Sequence, residues 1–438
     1  MKKLFFIFIL WGCLMQVNAQ SIYFPPLTGN IWDTVSPASL GWCTQYIDTL
    51  YEYLDNQDTK GFMLLKNGKI VLEKYYGNHT RDSIWYWASA GKSLTAFLVG
   101  KAQEEGKLNI YDTTSTYLGS GWTSLTTQQE EKITIRHQLT MTSGLDDNVP
   151  DVDCTIDTCL KYLTEPGTRW AYHNAPYTLI EDVVATATNK DYNIYTNQKI
   201  KSLTGMNGLW FRTGSFNNVY YSNMRSMARF GLLMQNKGKW ASTTVLSDSA
   251  YLSQMINTSQ NINLSYGYLW WLNGKSSFMI PQLQTVFPGS WAPSAPSDMY
   301  AALGKNGQVL CIAPSKGLVM VRMGNQPSGN AGLVPTILVE DIWKILNLLI
   351  CNSTSIHESD EWKNNITIFP NPASQLVHIS GAKSCTYKLI DMTGKILIES
   401  KLITDAETIS LQMLDAGIYF IRFVNERGEG MVSKLVVK

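Results

Sequence analysis

A serine and a lysine stand three residues apart at the head of a long apolar stretch, in Ser89-Ala90-Gly91-Lys92. On a helix with about 3.6 residues per turn, positions i and i+3 share a face, so the Lys92 amine can reach the Ser89 hydroxyl. A buried, neutral lysine would accept the hydroxyl proton and leave a nucleophilic oxygen. The pair predicts covalent serine chemistry. Ser380-Gly381-Ala382-Lys383 also fits the pattern, but it lies in a β-rich region without a helix.

A tyrosine followed two residues later by an asparagine would add a second proton-transfer group and a hydrogen-bonding amide. Four tyrosines begin such a pair: Tyr76, Tyr172, Tyr195 and Tyr221. Tyr172 and Asn174 stand out because Pro166-Gly167 opens a turn that leads to them and helix signals begin just after, at Pro176. We expect this pair on a loop that faces outward.

A second lysine, on a strand beside the nucleophile, would complete the set of catalytic side chains, because positive charge favours the deprotonated form of nearby groups. Lys305-Asn306-Gly307 lies on a predicted strand pair late in the sequence. Lys66-Asn67-Gly68 has the same form, but it precedes the serine, and Asn67-Gly68 is typical of a type I′ hairpin turn. Lys305 is therefore the candidate.

Composition and missing motifs exclude other classes of protein. The 438 residues carry a formal net charge of +1, so no nucleic-acid partner is implied. With 45% hydrophobic residues the chain has enough apolar material for a folded core. The sequence contains no glycine-rich phosphate loop, no His-Glu-x-x-His zinc helix and no Gly-x-Ser-x-Gly elbow. We therefore expect neither a cofactor nor a metal.

The predicted elements around these residues indicate an α+β domain, residues 20–351, in which an antiparallel sheet is flanked by helices and joined to a helical lobe. A cleft between the lobes would hold a small-molecule or peptide substrate. Strands are predicted at 62–66, 69–75, 299–303, 308–313 and 318–323. Helices are predicted at 88–105, 135–142, 176–188, 225–235 and 333–350, the first of them apolar nearly all round.

The N-terminus has the pattern of a signal peptide, residues 1–19. Lys2 and Lys3 precede an apolar run, and small residues at Val17-Asn18-Ala19 offer a cleavage site. The run is shorter than the about 20 residues that span a bilayer, which disfavours an anchor, and a lipoprotein through Cys13 is a lesser alternative. No later segment predicts an integral membrane helix. We expect export.

Cys154 and Cys159 lie close together in a polar loop of the exported chain. A local disulfide is the favoured interpretation in an oxidising compartment, and two free thiols are the alternative.

Residues 352–365 have the polar, aperiodic composition of a linker, and the pattern then changes to short strands separated by turn residues. Residues 366–438 therefore predict a small all-β sandwich. Its strands are expected at 366–369, 377–379, 387–391, 395–400, 408–411, 418–423 and 432–437.

Four ordered motifs carry a family resemblance. They are Trp87–Ser93 around the serine, His137–Leu145, Pro166–Asn174 and Gly304–Gln308. Together they resemble the serine β-lactamase and penicillin-binding-protein superfamily, in its class C-like branch with esterases and 6-aminohexanoate-dimer hydrolases. The resemblance implies the β-lactamase/transpeptidase-like fold and acyl transfer through a serine ester.

The resemblance also implies a role for each candidate residue. Ser89 would be the nucleophile, and Lys92 and Tyr172 would share its proton as general base and later as acid. Lys305 would add the positive potential that keeps Lys92 or Tyr172 deprotonated.

Three further residues, Asn174, Gly307 and Gln308, would bind the substrate or its oxyanion. Asn174 would orient Lys92 or the substrate amide. The backbone N–H groups of Ser89 and of Gln308, which follows Gly307, would form the oxyanion hole.

The chain departs from the family pattern at Asn306, where penicillin-recognising members carry a hydroxyl residue. The sequence therefore favours a secreted hydrolase of an ester or amide. The alternatives are a penicillin-binding protein with D,D-peptidase activity, a β-lactamase, and a catalytically silent surface binding protein on the same fold.

The tail resembles a second family. Ile366–Ala373, Leu414–Tyr419 and Lys434–Lys438 resemble the C-terminal sorting domain of the type IX secretion system of Bacteroidetes. This implies an interaction with the secretion machinery, export across both membranes and release or display at the cell surface. A carbohydrate-binding or adhesive β-sandwich is the alternative.

Overall fold

The computed structural model describes residues 22–213, 216–328, 334–351, 366–391, 395–426 and 430–438. The predicted signal peptide, residues 1–19, and the predicted linker, residues 352–365, lie outside these ranges. The chain forms two compact units, Met1–Cys351 and Asn352–Lys438, and each is described by itself.

An antiparallel sheet forms the centre of the first unit. Six strands of its described part pair in the order β2-β1-β13-β12-β11-β8, and three others form a second sheet in the order β3-β5-β4. The strands are β1 (Thr59–Lys66), β2 (Lys69–Tyr75), β3 (Trp85–Tyr86), β4 (Leu209–Thr213), β5 (Asn217–Ser222), β6 (Lys239–Trp240), β7 (Thr243–Thr244), β8 (Trp271–Leu272), β9 (Ser277–Phe278), β10 (Phe287–Pro288), β11 (Tyr300–Gly304), β12 (Gln308–Ala313) and β13 (Leu318–Gly324).

Helices surround the sheet and build the lobe beside it. They are α1 (Ile47–Asn56), α2 (Gly91–Glu104), α3 (Ser115–Leu118), α4 (Thr127–Glu130), α5 (Ile135–Leu139), α6 (Asn174–Thr178), α7 (Ile180–Thr188), α8 (Tyr192–Thr196), α9 (Ser202–Thr204), α10 (Met224–Gln235), α11 (Ser249–Met255) and α12 (Thr336–Ile350). The α+β architecture predicted from the sequence is confirmed.

The hairpin between β1 and β2 has the predicted turn. Asn67 and Gly68 both have positive φ, 48° and 86°, as a type I′ turn requires. Strands β12 and β13 are buried at every position, because packed elements cover both faces of the sheet there. Helix α10 covers one face so closely that a Cβ on its Gly231 would stand 2.5 Å from Val319.

Helix α2 lies in the core, as its all-round apolar surface predicts. Its residues from Gly91 to Gly100 are all buried. Tyr251 of α11 donates a 2.7 Å hydrogen bond to the Ala96 carbonyl, and a Cβ at Gly100 would stand 2.2 Å from the Tyr251 ring. Gly100 therefore permits the close approach of the two helices.

Several predicted helix boundaries were wrong. The helix expected at 88–105 is a 3₁₀ turn, Ala88–Ala90, followed by α2. The helix expected at 176–188 is divided into α6 and α7, and it begins earlier, at Asn174, because Pro176 fits the first turn of a helix. The helix expected at 135–142 ends at Leu139, before the left-handed residue Met141, whose φ is 57°.

Two disulfides join cysteines in the described part of the first unit. The Cys154–Cys159 bridge agrees with the favoured interpretation of the sequence. Cys43 also pairs with Cys351, 308 residues away, and its N–H donates to the Leu349 carbonyl at 2.8 Å. The Cys43–Cys351 bridge joins the segment before α1 to the end of α12, and no local spacing in the sequence reveals it.

The second unit is a sandwich of two antiparallel sheets, in the orders β14-β15-β18 and β17-β16-β19-β20. Val377, Leu389 and Ile421 are among the fully buried residues of its own core. All the predicted strands are found with small boundary differences: β14 (Thr367–Phe369), β15 (Leu376–Ser380), β16 (Thr386–Ile390), β17 (Ile396–Lys401), β18 (Ala406–Ser410), β19 (Gly417–Val424) and β20 (Gly430–Val437).

Replacing both Cys43 and Cys351 by serine should lower the free energy of unfolding of the first unit by about 3 kcal/mol, because the open chain gains conformational entropy when it unfolds. Urea unfolding followed by tryptophan fluorescence measures this loss. Residues 366–438 contain no tryptophan, so the signal reports the first unit rather than the sandwich.

The matched control replaces Cys154 and Cys159 by serine. That bridge closes a sequence separation of only 5 residues, so its loss should cost less. An equal or larger loss in the free energy of unfolding of the control would contradict the larger contribution expected of the Cys43–Cys351 bridge.

Candidate active site

Ser89 lies in the middle of the 3₁₀ turn Ala88–Ala90, directly before α2. Ala88 has a φ of 47°, a left-handed conformation that costs a residue with a Cβ about 1 kcal/mol. The neighbouring Trp87 holds the turn in place, because its N–H donates to the Tyr220 carbonyl at 2.8 Å and its Nε1–H to Ser222 Oγ at 2.7 Å. Strand β5 thus fixes the position of the serine.

Lys92 faces Ser89 from the first turn of α2. Its Nζ lies 2.9 Å from Ser89 Oγ, and the residue is only 3% exposed. The ring centroids of Tyr177 and Tyr172 lie 4.2 and 5.0 Å from Nζ. Burial lowers the pKa of Lys92 to about 7, and the negative charge of Asp153 opposes this effect. A substantial fraction of the amine is therefore unprotonated at neutral pH.

Tyr172 lines the same cavity as Ser89, and its interaction with the Ser89 side chain partly opposes the effect of burial on the Tyr172 pKa. Its ring stacks on Trp271 with centroids 5.9 Å apart and packs edge-on against Tyr266. Burial raises the pKa of Tyr172 far above its usual value, so the phenol keeps its proton. Lys92 and Tyr172 were both expected to share the serine proton. Of the two, Lys92 is the one that can be unprotonated at neutral pH.

Asn174 begins helix α6 beside this pair. Its Oδ1 atom is buried and has no hydrogen-bond partner in the described part of the chain. The next residue, Ala175, donates its N–H to the Val152 carbonyl at 3.0 Å, which ties the start of α6 to the loop before Cys154. The asparagine is thus held at the edge of the site with a free acceptor.

The sequence predicted that Lys305 lies on a strand. In the structure it begins the 3₁₀ turn Lys305–Gly307 between β11 and β12. The residue before it, Gly304, packs directly on the serine turn. A Cβ at Gly304 would stand 2.4 Å from the Trp87 carbonyl oxygen and 3.1 Å from the Ser89 nitrogen. Only glycine permits this approach, and the sequence pattern alone did not predict a role for Gly304.

Neither Gly307 nor Gln308 lines the cavity at Ser89. Gln308 is fully buried, and its side-chain amide donates to the carbonyls of Gly324 at 2.7 Å and Asn306 at 3.1 Å. Its side chain supports the hairpin rather than a substrate. Asn306 does not line the cavity either, and its Nδ2 donates to Oη of Tyr86, a lining residue, at 2.7 Å.

A cavity of about 430 Å³ opens over the serine. Among the predicted site residues, Ser89, Tyr172, Asn174 and Lys305 line it. Asp147 and Asp153 line it as well and were not predicted. The site brings a serine hydroxyl, a buried amine and a phenol together in one small volume, and such a set of groups can carry out acyl transfer.

Comparison with known proteins agrees with this geometry. Residues 52–337 match the Beta-lactamase family model, which is more than half of the chain. The chain belongs to the beta-lactamase family. Residues 367–438 match the secretion system C-terminal sorting domain, which directs export to the cell surface or the surrounding medium. No helix of the described residues is long and apolar enough to cross a membrane.

Curated relatives are similar over part of the family domain. Protein flp of Staphylococcus aureus is 28% identical over 183 residues, which is 36% of this chain and 36% of flp. The chain thus matches about a third of the length of such relatives, and their activities do not transfer directly to it.

Solved structures of this family share the fold. A β-lactamase/D-alanine carboxypeptidase from Yersinia pestis has a TM-score of 0.51 and 18% identity, with 69% of this chain and 98% of that chain covered. A family VIII carboxylesterase has a TM-score of 0.52 and 14% identity, with 69% and 96% covered. At these identities the likeness shows the fold of the first unit.

The rate at which a fluorophosphonate labels Ser89 should rise with pH through about 7, because protonated Lys92 cannot accept the serine proton and the free amine can. Labelling measured from about pH 5.5 to about pH 9 gives the profile. Tyr172→Phe should keep the inflection near 7, because the titrating group is Lys92.

Lys92→Arg serves as the comparison, since arginine stays protonated throughout this range. It should label slowly and show no inflection near 7. An unchanged inflection in Lys92→Arg would assign the titration to another group.

Proposed function

We propose that this protein is an exported serine hydrolase that cleaves an ester or amide through an acyl-serine intermediate. The observation that carries the proposal is the 2.9 Å contact between Ser89 Oγ and the buried Nζ of Lys92, whose pKa is lowered to about 7. A serine hydroxyl needs such a base to become nucleophilic at neutral pH.

In the acylation step Lys92 takes the Ser89 proton as Oγ bonds to the substrate carbonyl carbon, which gives a tetrahedral oxyanion. The intermediate collapses when the bond to the leaving alcohol or amine breaks and that group receives the proton from Lys92 through the Tyr172 hydroxyl. Water then attacks the acyl-serine by the reverse proton path and releases the acid. Because Tyr172 stays protonated, it acts as a relay and Lys92 as the base.

The oxyanion requires two donors close to Ser89 Oγ. The backbone N–H of Ser89 is one, as expected from the sequence. The hairpin approaches the serine turn at Gly304, where a Cβ would stand 3.1 Å from Ser89 N. We therefore assign the second donor to the Gly304–Lys305 segment in place of Gln308.

Lys305 contributes a positive charge to the cavity wall. Burial, rather than Lys305, is the main cause of the lowered pKa of Lys92. In our proposal the Lys305 ammonium acts on the substrate, where it stabilises negative charge as the tetrahedral intermediate forms.

The surroundings of Asn306 support an ester or amide over a β-lactam. Penicillin-recognising relatives use a hydroxyl at this place, whereas here Asn306 is engaged by Tyr86 and does not line the cavity. Penicillin-binding, D,D-peptidase and β-lactamase activities remain the alternatives within the family, and a non-catalytic surface binding protein is the alternative outside enzyme chemistry.

Ser89→Ala should abolish covalent labelling by a fluorophosphonate and by a labelled penicillin, since both require the serine oxygen. Intact-protein mass spectrometry after incubation with esters, amides and penicillin detects the acyl adduct. Ser380→Ala is the matched control: it removes the other serine of this sequence pattern, which lies on β15 of the tail, and should leave labelling unchanged.

A wild-type protein that binds such compounds without acylation or turnover would support the binding-protein alternative instead. Labelling that persists in Ser89→Ala would place the nucleophile elsewhere.

We further propose that the tail directs export independently of the hydrolase. A chain that ends at Cys351 retains the Cys43–Cys351 bridge and the whole core of the first unit. In a host with type IX secretion it should stay inside the outer membrane and still react with a fluorophosphonate. Cell fractionation with activity-based labelling measures both properties.

Full-length Ser89→Ala is the control and should be exported normally but not labelled. A truncated chain that reaches the medium as efficiently as the full-length protein would contradict the sorting role of the tail.

A further inference from the structure

A second polar cavity of about 230 Å³ lies in the first unit, and it shares no lining residue with the cavity at Ser89. The described residues that line it include three arginines, Arg81, Arg225 and Arg229, and one acidic residue, Asp82. The arginines come from the loop between β2 and β3 and from the first two turns of α10. The proposed hydrolysis makes no use of this concentration of positive charge.

Arg229 is buried at this cavity without a carboxylate to balance its charge. The residue is only 6% exposed, and no acidic side chain of the described residues forms an ion pair with it. Its Nη1 and Nη2 atoms donate to the carbonyls of Thr204 and Pro26, both at 2.7 Å. Burial, together with the positive charge of Arg225, lowers the pKa of Arg229 to about 10, so the group stays protonated at neutral pH. A buried cation of this kind is costly unless an anion accompanies it.

Two tryptophan rings offset part of the cost of burying Arg229. The guanidinium carbon lies 5.3 Å from the Trp32 ring centroid and 5.5 Å from that of Trp240. An aromatic face attracts a cation but does not neutralise it. The rings and the two carbonyls therefore explain how the guanidinium is held in place, and its full charge remains at the cavity that it lines.

The other two arginines are each paired with one carboxylate. Arg225 binds Glu73 through Nε and Nη2, both at 2.7 Å, and its Nη1 donates to the Asn30 carbonyl at 2.7 Å. Arg81 and Asp82 form an exposed pair at 3.2 Å. The three arginines and these two carboxylates together leave an excess of one positive charge around the cavity.

Two asparagine amides add hydrogen-bond donors to the lining. Asn207 Oδ1 accepts from the Asn223 N–H at 3.2 Å and from Ser226 Oγ at 2.8 Å, and Asn223 Oδ1 accepts from the Ser226 N–H at 2.9 Å. Because both amide oxygens are engaged, the Nδ2 groups are the ends that can donate to a ligand. Donors and positive charge in one cavity suit a ligand that is an anion with acceptors only.

We propose that this cavity binds a phosphate or sulfate group, either as the free ion or on a small molecule. Guanidinium groups form charged hydrogen bonds of matched geometry with such oxyanions. Because the donors come from three separate segments, they suit a tetrahedral group, which offers acceptor oxygens in more directions than a planar carboxylate does. The cavity is smaller than the about 300 to 1,000 Å³ typical of sites for drug-sized ligands, so the ligand is small. This site is independent of the proposed hydrolase function.

Isothermal titration calorimetry on the full-length protein tests the site. Inorganic phosphate, sulfate, glycerol 3-phosphate and acetate are each titrated at pH 7.5 and constant ionic strength, with chloride as the background anion. Phosphate or sulfate should saturate one site with a Kd below about 1 mM, and acetate should bind at least about tenfold more weakly because it leaves charged donors unpaired. Tighter binding of glycerol 3-phosphate than of inorganic phosphate would identify a monoester as the ligand, and the reverse order would identify the free ion.

The exposed pair offers two variants with opposite expected effects. Asp82→Asn removes the only negative charge of the lining and should tighten phosphate binding by about threefold or more. Arg81→Gln removes a donor and leaves Asp82 uncompensated, so it should weaken binding by about tenfold. Arg422→Gln is the matched control: Arg422 is an exposed arginine of the second unit that does not line the cavity, and its loss should leave the Kd unchanged.

Arg229→Lys tests the buried guanidinium itself, since lysine keeps the charge and loses the planar fork. It should weaken phosphate binding by more than about tenfold, with circular dichroism and thermal melting used to confirm that the variant is folded. If this variant does not fold, the Asp82 and Arg81 variants still decide the matter, because both residues are exposed.

Three results would overturn the proposal. They are a wild-type protein that shows no saturable binding of phosphate, sulfate or glycerol 3-phosphate, a Kd for phosphate that is the same in Asp82→Asn and Arg81→Gln, and acetate that binds as tightly as phosphate. None of them bears on the chemistry at Ser89.

Discussion

The burial of the Lys92 amine is the physical constraint on which the catalytic unit depends. Transferring an ammonium group out of water is costly unless it is paired, and in the described residues Lys92 makes no salt bridge. The group therefore gives up its proton more readily, while the same burial makes the phenols of Tyr172 and Tyr177 hold theirs. In the proposed mechanism a single cause thus divides the roles, with the amine as the base and the phenol beside it as the proton carrier.

The amine can stay buried only if the turn before it is held against the sheet. Gly304 provides this contact from the β11–β12 hairpin, and the hairpin is secured from behind by Arg322, which is fully buried on β13. Its Nη1 donates to the carbonyls of Gly307 at 2.8 Å and Asn306 at 2.9 Å. Burial lowers the pKa of Arg322 to about 10, so the guanidinium stays charged and its donors remain available to those carbonyls at neutral pH. The buried Arg322 guanidinium thus positions the backbone of the β11–β12 hairpin and does not itself react.

Much of this could be read from the sequence because it is encoded locally. Ser89 and Lys92 are one turn apart, so helix geometry alone brings them together. The strands of the tail follow from alternation and turn residues within a few positions each. These features do not require knowledge of the tertiary fold.

The features that were missed depend on contacts between distant segments. The bridge from Cys43 to Cys351 joins residues 308 apart, and Gly304 matters only because Trp87 and Ser89 lie against it. Our proposal moves the second oxyanion donor from Gln308 to the Gly304–Lys305 segment for the same reason, since the glycine that lies against the serine turn comes before Lys305. The only local signal of close approach was that glycines, Gly304 and Gly307, flank Lys305-Asn306. The sequence does not say which of the two lies against the serine.

The position of the long-range disulfide separates the chemistry of this protein from its export. Cys351 ends the first unit directly after α12, and its bond to Cys43 fixes that helix terminus covalently. The tail has its own buried core, which includes Val377, Leu389 and Leu435. The first unit also has a core of its own residues, so each unit buries hydrophobic side chains by itself. The disulfide therefore closes the first unit covalently at the end of its last helix, and the buried lysine lies within the unit that this bond closes.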